Sequence, residues 1–155
     1  MSHDLRAALR SVTEPVVVVT GRGLSGLVGV TVSSFASVSA EPPLVLFCPS
    51  ATSRSWAEMR PSGRFAVNVL GRDQVDVALR FADRDDRFAG VTWTEASDGL
   101  PVLGGALAVL LCRVHTRRRS GDHEVVVGLV EETLLLRDGV GLDSHTVREA
   151  RLWVA

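Results

Sequence analysis

Short apolar runs rich in β-branched residues, each ended by glycine or proline, constrain the fold of this chain more than any other feature. Residues 16–20 and 44–48 are two such runs. Each is too short for a helix that buries one face, so each predicts a buried strand. Residues 27–33 and 64–70 predict two further strands, and residues 27–33 return from residues 16–20 as a hairpin.

Two longer apolar-rich stretches, residues 106–115 and 123–136, predict a long antiparallel hairpin across residues 116–122. The arginines at positions 117–119 would lie at its tip, where a solvated turn is favoured over a contact with a nucleotide phosphate. The charged run at positions 83–87 likewise predicts a solvated surface.

Helical spacing is confined to short stretches, including residues 4–11 and 72–82. About seven strands, joined mostly by hairpins and separated by short helices, predict a mainly β fold: an antiparallel β-barrel with short helices rather than a doubly wound parallel sheet. The length of 155 residues predicts one domain over residues 1–155.

Charge and cysteine usage exclude several classes of function. The formal net charge is -1, so no basic field is available to attract nucleic acid or an anionic membrane. All 17 basic residues are arginine, which excludes a lysine nucleophile. No apolar run reaches the roughly 18 residues of a membrane span, and Cys48 and Cys112 lack the spacing of a metal site. We therefore expect a cytoplasmic protein that holds no metal.

Residues 29–39 carry short hydroxyl side chains beside β-branched ones. Thr31, Ser33, Ser34 and Ser37 are too small to fill a core, and their hydroxyls suit a polar ligand with many atoms. The alternative is an edge strand and turn whose hydroxyls are satisfied by local hydrogen bonds.

A second group of hydroxyls, at positions 50–55, precedes a predicted helix of about two turns that Thr52 or Ser53 can cap. Free backbone N–H groups at the helix start, the hydroxyls and the Arg54 guanidinium together predict a phosphate site. The alternative is a capped short helix with an exposed arginine.

Several separated segments, taken in order, resemble one known family. They are residues 29–39, 42–48, 53–56, 63–70 and 80–82, then Phe88, the Gly-Asp-His at positions 121–123 and residues 125–128. Over about residues 12–135 they resemble the flavin reductase-like, FMN-binding split β-barrel family. The resemblance implies an antiparallel barrel of Greek-key type and a homodimer. It also implies reduction of FMN or FAD by NADH or NADPH, with the reduced flavin passed to a separate flavin-dependent monooxygenase.

The resemblance also implies a site, residue by residue. The residues that would line the isoalloxazine and ribityl chain are Thr31, Val32, Ser33 and Ser34. Those that would reach the ribityl hydroxyls and the phosphate are Ser37, Ser50, Ser53, Arg54 and Ser55. Cys48 and Pro49 would lie at the pocket edge. His123 would lie near the nicotinamide and the flavin ring as the catalytic residue; alternatively, it is an exposed histidine beside a turn.

The C-terminus departs from the family's pattern, which commonly ends in an aromatic- and glycine-containing strand near the pocket. This chain has no tyrosine and ends with residues 143–153, where His145 and Trp153 are the candidate replacements. Because of this different C-terminus, a second hypothesis stays open: a non-catalytic flavin-binding protein or carrier on the same barrel. A third is an oxidase whose substrate is oxidised directly by bound FMN.

Overall fold

The computed structural model describes residues 3–154, with the side chains of residues 3–151. The elements in chain order are α1 (His3–Leu9), β1 (Val17–Gly23), β2 (Gly26–Val32), β3 (Ala36–Ser39), β4 (Leu44–Phe47), α2 (Arg54–Met59), β5 (Arg64–Val69), α3 (Val75–Asp83), β6 (Trp93–Glu95), β7 (Pro101–Leu103), β8 (Ala108–Ser120), β9 (His123–Leu135) and α4 (Ser144–Val154). Single 3₁₀ turns at Arg60–Ser62 and Arg72–Gln74 follow α2 and precede α3. The predicted mainly β fold with short helices is confirmed.

Within the described residues, seven strands form one antiparallel sheet in the order β2-β1-β5-β8-β9-β4-β3, and β6 pairs with β7 in a second sheet. The predicted hairpin of β1 and β2 is present, with Val17 opposite Val32. The two outermost strands of the large sheet, β2 and β3, are neighbours in the chain and are joined by residues 33–35 alone.

The long hairpin of β8 and β9 differs from its prediction at the turn. Ser120 pairs with His123, so the turn consists of Gly121 and Asp122, and Gly121 takes the left-handed φ of 61° that this turn requires. The three arginines at positions 117–119 therefore lie in β8 and not in a turn. Their exposure explains the error, because an exposed strand end is as polar as a loop.

The largest core cluster lies between the large sheet and α2. Trp56 of α2 is buried against Phe47 of β4 and Phe65 of β5, with ring centroids 5.4 and 6.4 Å away and edge-to-face geometry. A second cluster joins Val16 and Leu70 to Phe81 of α3 and Leu142. These clusters fix α2 and α3 against the strands that carry the hydroxyl residues.

Two stretches have more structure than the sequence indicated. Residues 99–105 read as a loop, yet they include the buried strand β7, which is only three residues long. Residues 137–155 gave no clear pattern, and they include α4, whose N-terminus Asp143 caps through a hydrogen bond of 2.9 Å from the Thr146 N–H to Oδ1. No helix in the described part of the chain has the length and apolar character needed to cross a membrane.

Candidate functional site

A cavity of about 330 Å³, here called the hydroxyl cavity, opens where β2 and β4 end and β9 begins. Its lining residues are Val30, Thr31, Val32, Ser33, Ser34, Cys48, Pro49, Ser50, Ser53 and His123. Apart from Val30, all of these were predicted site residues. Stretches far apart in the chain thus meet in one place.

Backbone pairing brings these stretches together. The Ser34 hydroxyl accepts a hydrogen bond from the Cys48 N–H at 2.8 Å, which ties the link after β2 to the end of β4. The Ala51 N–H donates to the Asp122 carbonyl at 2.9 Å, and the Glu124 N–H donates to the Pro49 carbonyl at 3.0 Å. The start of β9 is therefore paired with the loop after β4, and His123 is held beside Ser50.

Ser53 caps α2 as the sequence predicted. Its hydroxyl accepts from the Trp56 N–H at 3.2 Å, and the Trp56 indole N–H donates to Glu124 Oε2 at 2.8 Å. The start of α2 is thus fixed both by its cap and by a buried indole that reaches β9. This places the side chains of Arg54 and Ser55 at a rigid helix start.

Two titratable groups at the hydroxyl cavity have shifted pKa values. Burial raises the pKa of the Cys48 thiol, and a hydrogen bond from Ser34 offsets part of that effect, so the thiol is neutral at physiological pH. A 2.7 Å hydrogen bond from His123 Nδ1 lowers the pKa of Asp122. Because an ionised carboxylate only accepts, this contact places a proton on Nδ1 and turns Nε2 away from Asp122.

A second cavity of about 430 Å³, here called the arginine cavity, adjoins the start of α2 and residues 27–29 of β2. Arg54, Arg84 and Arg87 line it together with Ser55, Phe88 and the carboxylates of Glu58, Asp85 and Asp86. The Arg54 side chain is exposed and makes no hydrogen bond or ion pair with any residue that the structure describes. Its guanidinium is available to an anion.

Arg87 is the most firmly held of the three arginines. Its Nη1 donates to the Gly29 carbonyl at 2.7 Å and to the Ser55 hydroxyl at 2.9 Å, while Nε donates to the Arg84 carbonyl at 2.7 Å. Gly29 is buried with Phe81 directly above it, so a side chain there would collide with the ring. The guanidinium therefore fixes β2 against α2, and its Nη2 group makes no hydrogen bond with a described residue.

The predicted site residues divide between the two cavities. Arg54 and Ser55 lie at the arginine cavity, whereas Ser37 is exposed on β3 and lines neither cavity. Arg84 and Arg87 were missed, because their charged run was interpreted as a solvated surface. Only the half-buried position of Arg87 distinguishes it from its neighbours, and no spacing in the sequence signals that position.

Residues 9–144 match the family model described as the flavin reductase like domain. The chain belongs to this family. It is 48% identical over 112 residues to the flavin-dependent monooxygenase reductase subunit HsaB of Rhodococcus jostii, a match that covers 72% of this chain and 57% of that protein. The chain thus spans a little over half the length of that relative.

A second relative and a solved structure cover more of their own chains. FMN reductase (NADH) SmoA of Agrobacterium fabrum is 39% identical over 129 residues, which are 83% of this chain and 74% of SmoA. The structure of the NADH:FAD oxidoreductase SgcE6 of Streptomyces globisporus, in complex with NAD and FAD fragments, superposes with a TM-score of 0.82 at 33% identity. That match covers 96% of this chain and 93% of SgcE6.

Proposed function

We propose that this chain is an NAD(P)H-dependent flavin reductase that reduces FMN or FAD and supplies the reduced flavin to a separate monooxygenase. The observation that carries the proposal is the meeting of the hydroxyl cavity and the arginine cavity at the start of α2. A family relative named as a monooxygenase reductase subunit supports the destination of the reduced flavin.

The two cavities fit the two chemically different parts of a flavin mononucleotide. The hydroxyl cavity offers short hydroxyls, a neutral thiol and the buried Pro49, which suit an uncharged heterocycle with many hydrogen-bonding atoms. The arginine cavity offers the Ser55 hydroxyl and the guanidinium of Arg54, which suit a phosphate. Since Ser53 lines the first cavity and Arg54 the second, one ligand can reach both.

The residues have positioning roles rather than covalent ones. When bound, a flavin itself accepts hydride from a nicotinamide, so no protein nucleophile is required. Ser34 and Ser50 orient the ring edge, and Val32 and Pro49 exclude water from it. His123 keeps a proton on Nδ1 toward Asp122 and lines the cavity, so Nε2 is not engaged by Asp122.

We infer further that the large sheet curls into the family's split barrel. A flat sheet of seven strands would separate its edges by roughly 29 Å at about 4.8 Å per strand. The link of residues 33–35 can span only about 14 Å from Val32 to Ala36. The ends of β2 and β3 that this link joins are therefore closer together than a flat sheet allows, which supports a curled sheet.

A homodimer in the cytoplasm is part of the proposal. Residues 116–120 of β8 extend beyond β5 and pair only with β9 in the described part of the chain, which leaves one strand edge open to a second copy. Cys48 and Cys112 are free thiols, which suits a reducing compartment. Sedimentation that shows only monomer would contradict the dimer.

The test of the reductase is an anaerobic stopped-flow mixture of the protein and one equivalent of FMN with NADH, and separately with NADPH. We expect the visible flavin absorbance to bleach far faster than that of free FMN. Bound flavin that stays oxidised with both donors would overturn the proposal and favour the non-catalytic flavin-binding protein.

A further inference from the structure

A third cavity, of about 260 Å³, lies between α4 and the end of β2 and is here called the helix cavity. It shares Thr31, Val32 and Ser33 with the hydroxyl cavity. Arg148 and Arg151 of α4 line its other side, and none of the described residues that line it carries a carboxylate. The helix cavity is therefore a cationic extension of the hydroxyl cavity.

The two arginines differ in how much of their charge is free. Arg151 Nη2 lies 3.0 Å from Asp83 Oδ1, and this ion pair neutralises it. Arg148 donates from Nη1 to the Arg10 carbonyl at 3.0 Å and makes no ion pair with any described residue. A neutral carbonyl leaves the charge of Arg148 uncompensated, and its remaining N–H donors stay available.

Hydroxyl groups complete a set of donors around this charge. Ser33 is exposed and makes no hydrogen bond within residues 3–151, and the Ser144 hydroxyl accepts from the Glu14 N–H at 3.0 Å, which leaves its own proton free to donate. A free guanidinium beside donating hydroxyls is typical of a phosphate-binding site. The helix cavity thus fits an anionic group of a ligand that enters from the hydroxyl cavity.

The positions of the three cavities along β2 indicate which anionic group the helix cavity would bind. The arginine cavity adjoins residues 27–29 of β2, the hydroxyl cavity adjoins residues 30–34, and the helix cavity adjoins residues 31–33. The flavin phosphate is assigned to the arginine cavity, so the helix cavity serves a different anion. At about 260 Å³ it is smaller than the roughly 300 to 1,000 Å³ usual for a whole ligand, which suits one segment of a larger molecule.

We propose that α4 binds the diphosphate of the pyridine nucleotide in the helix cavity, with Arg148 as the principal contact and Arg151 and Ser33 in support. This inference rests on the proposed function, because it presumes that the nicotinamide enters the hydroxyl cavity. It gives a role to the C-terminal segment that departs from the family's pattern. His145 is exposed on α4 and lines none of these cavities, and the side chain of Trp153 lies outside the described residues.

The test measures binding of ADP-ribose, which carries the diphosphate without the nicotinamide, to the FMN-loaded protein by calorimetry. Arg148→Gln should weaken binding about tenfold and leave the FMN dissociation constant unchanged. The matched control is Arg6→Gln, because Arg6 lies on α1, is exposed and makes no side-chain hydrogen bond or ion pair with the described residues. That variant should bind ADP-ribose as the parent does.

A kinetic experiment distinguishes this inference from the proposed function. Arg148→Gln should raise KM for NADH about tenfold, while reduction by 1-benzyl-1,4-dihydronicotinamide, which has no phosphate, stays unchanged. ADP-ribose that does not bind the parent protein, or binds both proteins equally, would overturn the inference. A loss seen only with 2′-phospho-ADP-ribose would also overturn it, by moving the contact to the 2′-phosphate. ADP-ribose binding without oxidation of NADH or NADPH would overturn the reductase proposal alone.

Discussion

The hydroxyl cavity and the arginine cavity lie side by side but hold their ligands by different means. In the hydroxyl cavity, Ser34 and Ser53 already use their hydroxyl oxygens as acceptors for backbone N–H groups. In the arginine cavity, Arg54 has no partner among the described residues, and Arg87 keeps one guanidinium nitrogen free. The first cavity therefore offers shape and oriented neutral groups, whereas the second offers guanidinium groups with free donors.

This difference predicts different responses to solution conditions. Binding through exposed guanidinium groups weakens as salt screens the charges, with a Debye length of about 10 Å at 0.1 M ionic strength. Contacts with neutral hydroxyls and apolar walls are not weakened by this screening. Raising the salt concentration should therefore weaken binding at the arginine cavity more than binding at the hydroxyl cavity.

Arg87→Ala should have the largest effect, because it removes a cation and leaves the Gly29 carbonyl and the Ser55 hydroxyl without their donor. We expect FMN binding to weaken by about 2 to 3 kcal/mol, measured by quenching of flavin fluorescence. The control is Arg6→Ala, since Arg6 is an exposed arginine on α1 whose side chain makes no hydrogen bond or ion pair with the described residues. Equal affinities in the two variants would remove Arg87 from the phosphate site.

His123→Ala tests the other cavity and should have an intermediate effect. We expect the maximal rate of FMN reduction by NADH to fall about tenfold, equivalent to about 1.4 kcal/mol in the barrier, while FMN affinity changes much less. Asp122→Asn retains the imidazole and should lie between the parent and His123→Ala. Equal losses of rate and affinity would make His123 only part of the cavity wall.

Ser34→Ala should have the smallest effect and concerns the interior of the hydroxyl cavity. Loss of the Ser34 hydrogen bond should raise the pKa of Cys48 further, so less thiolate is present at a given pH and alkylation by iodoacetamide slows. Cys112 does not interfere, because burial raises its pKa to about 12. Cys48→Ala gives the background rate, and faster alkylation in Ser34→Ala would contradict the assigned hydrogen bond.

Strands and local caps could be predicted from the sequence, because their signals are short-range. The run at residues 16–20 predicted β1, and Ser53 was named among the caps of α2. The strand β7 was missed because it spans only three residues between glycines and because its burial depends on neighbours distant in the chain. The helix α4 was not predicted, because it contacts α3 and the loop before β1, and contacts between distant parts of the chain leave no local signal in the sequence.

The site could be predicted where it is built from continuous stretches. Residues 31–34 and residues 48–50 are each continuous in the sequence. Their composition and the family resemblance predicted them as site residues, and they line one cavity. Arg87 and Arg148 come from a mixed-charge run and from the C-terminal helix, where most charges face solvent. Only the folded arrangement distinguishes these two arginines from the others.

The central claim is that one flavin spans both cavities, and the most direct test compares FMN with riboflavin, which lacks the phosphate. In the parent protein, FMN should bind about 1 to 3 kcal/mol more tightly at low salt. In Arg54→Ala most of this difference should disappear, while riboflavin binding stays unchanged. Equal affinities for the two flavins in the parent, or a difference that persists in both Arg54→Ala and Arg87→Ala, would contradict the claim.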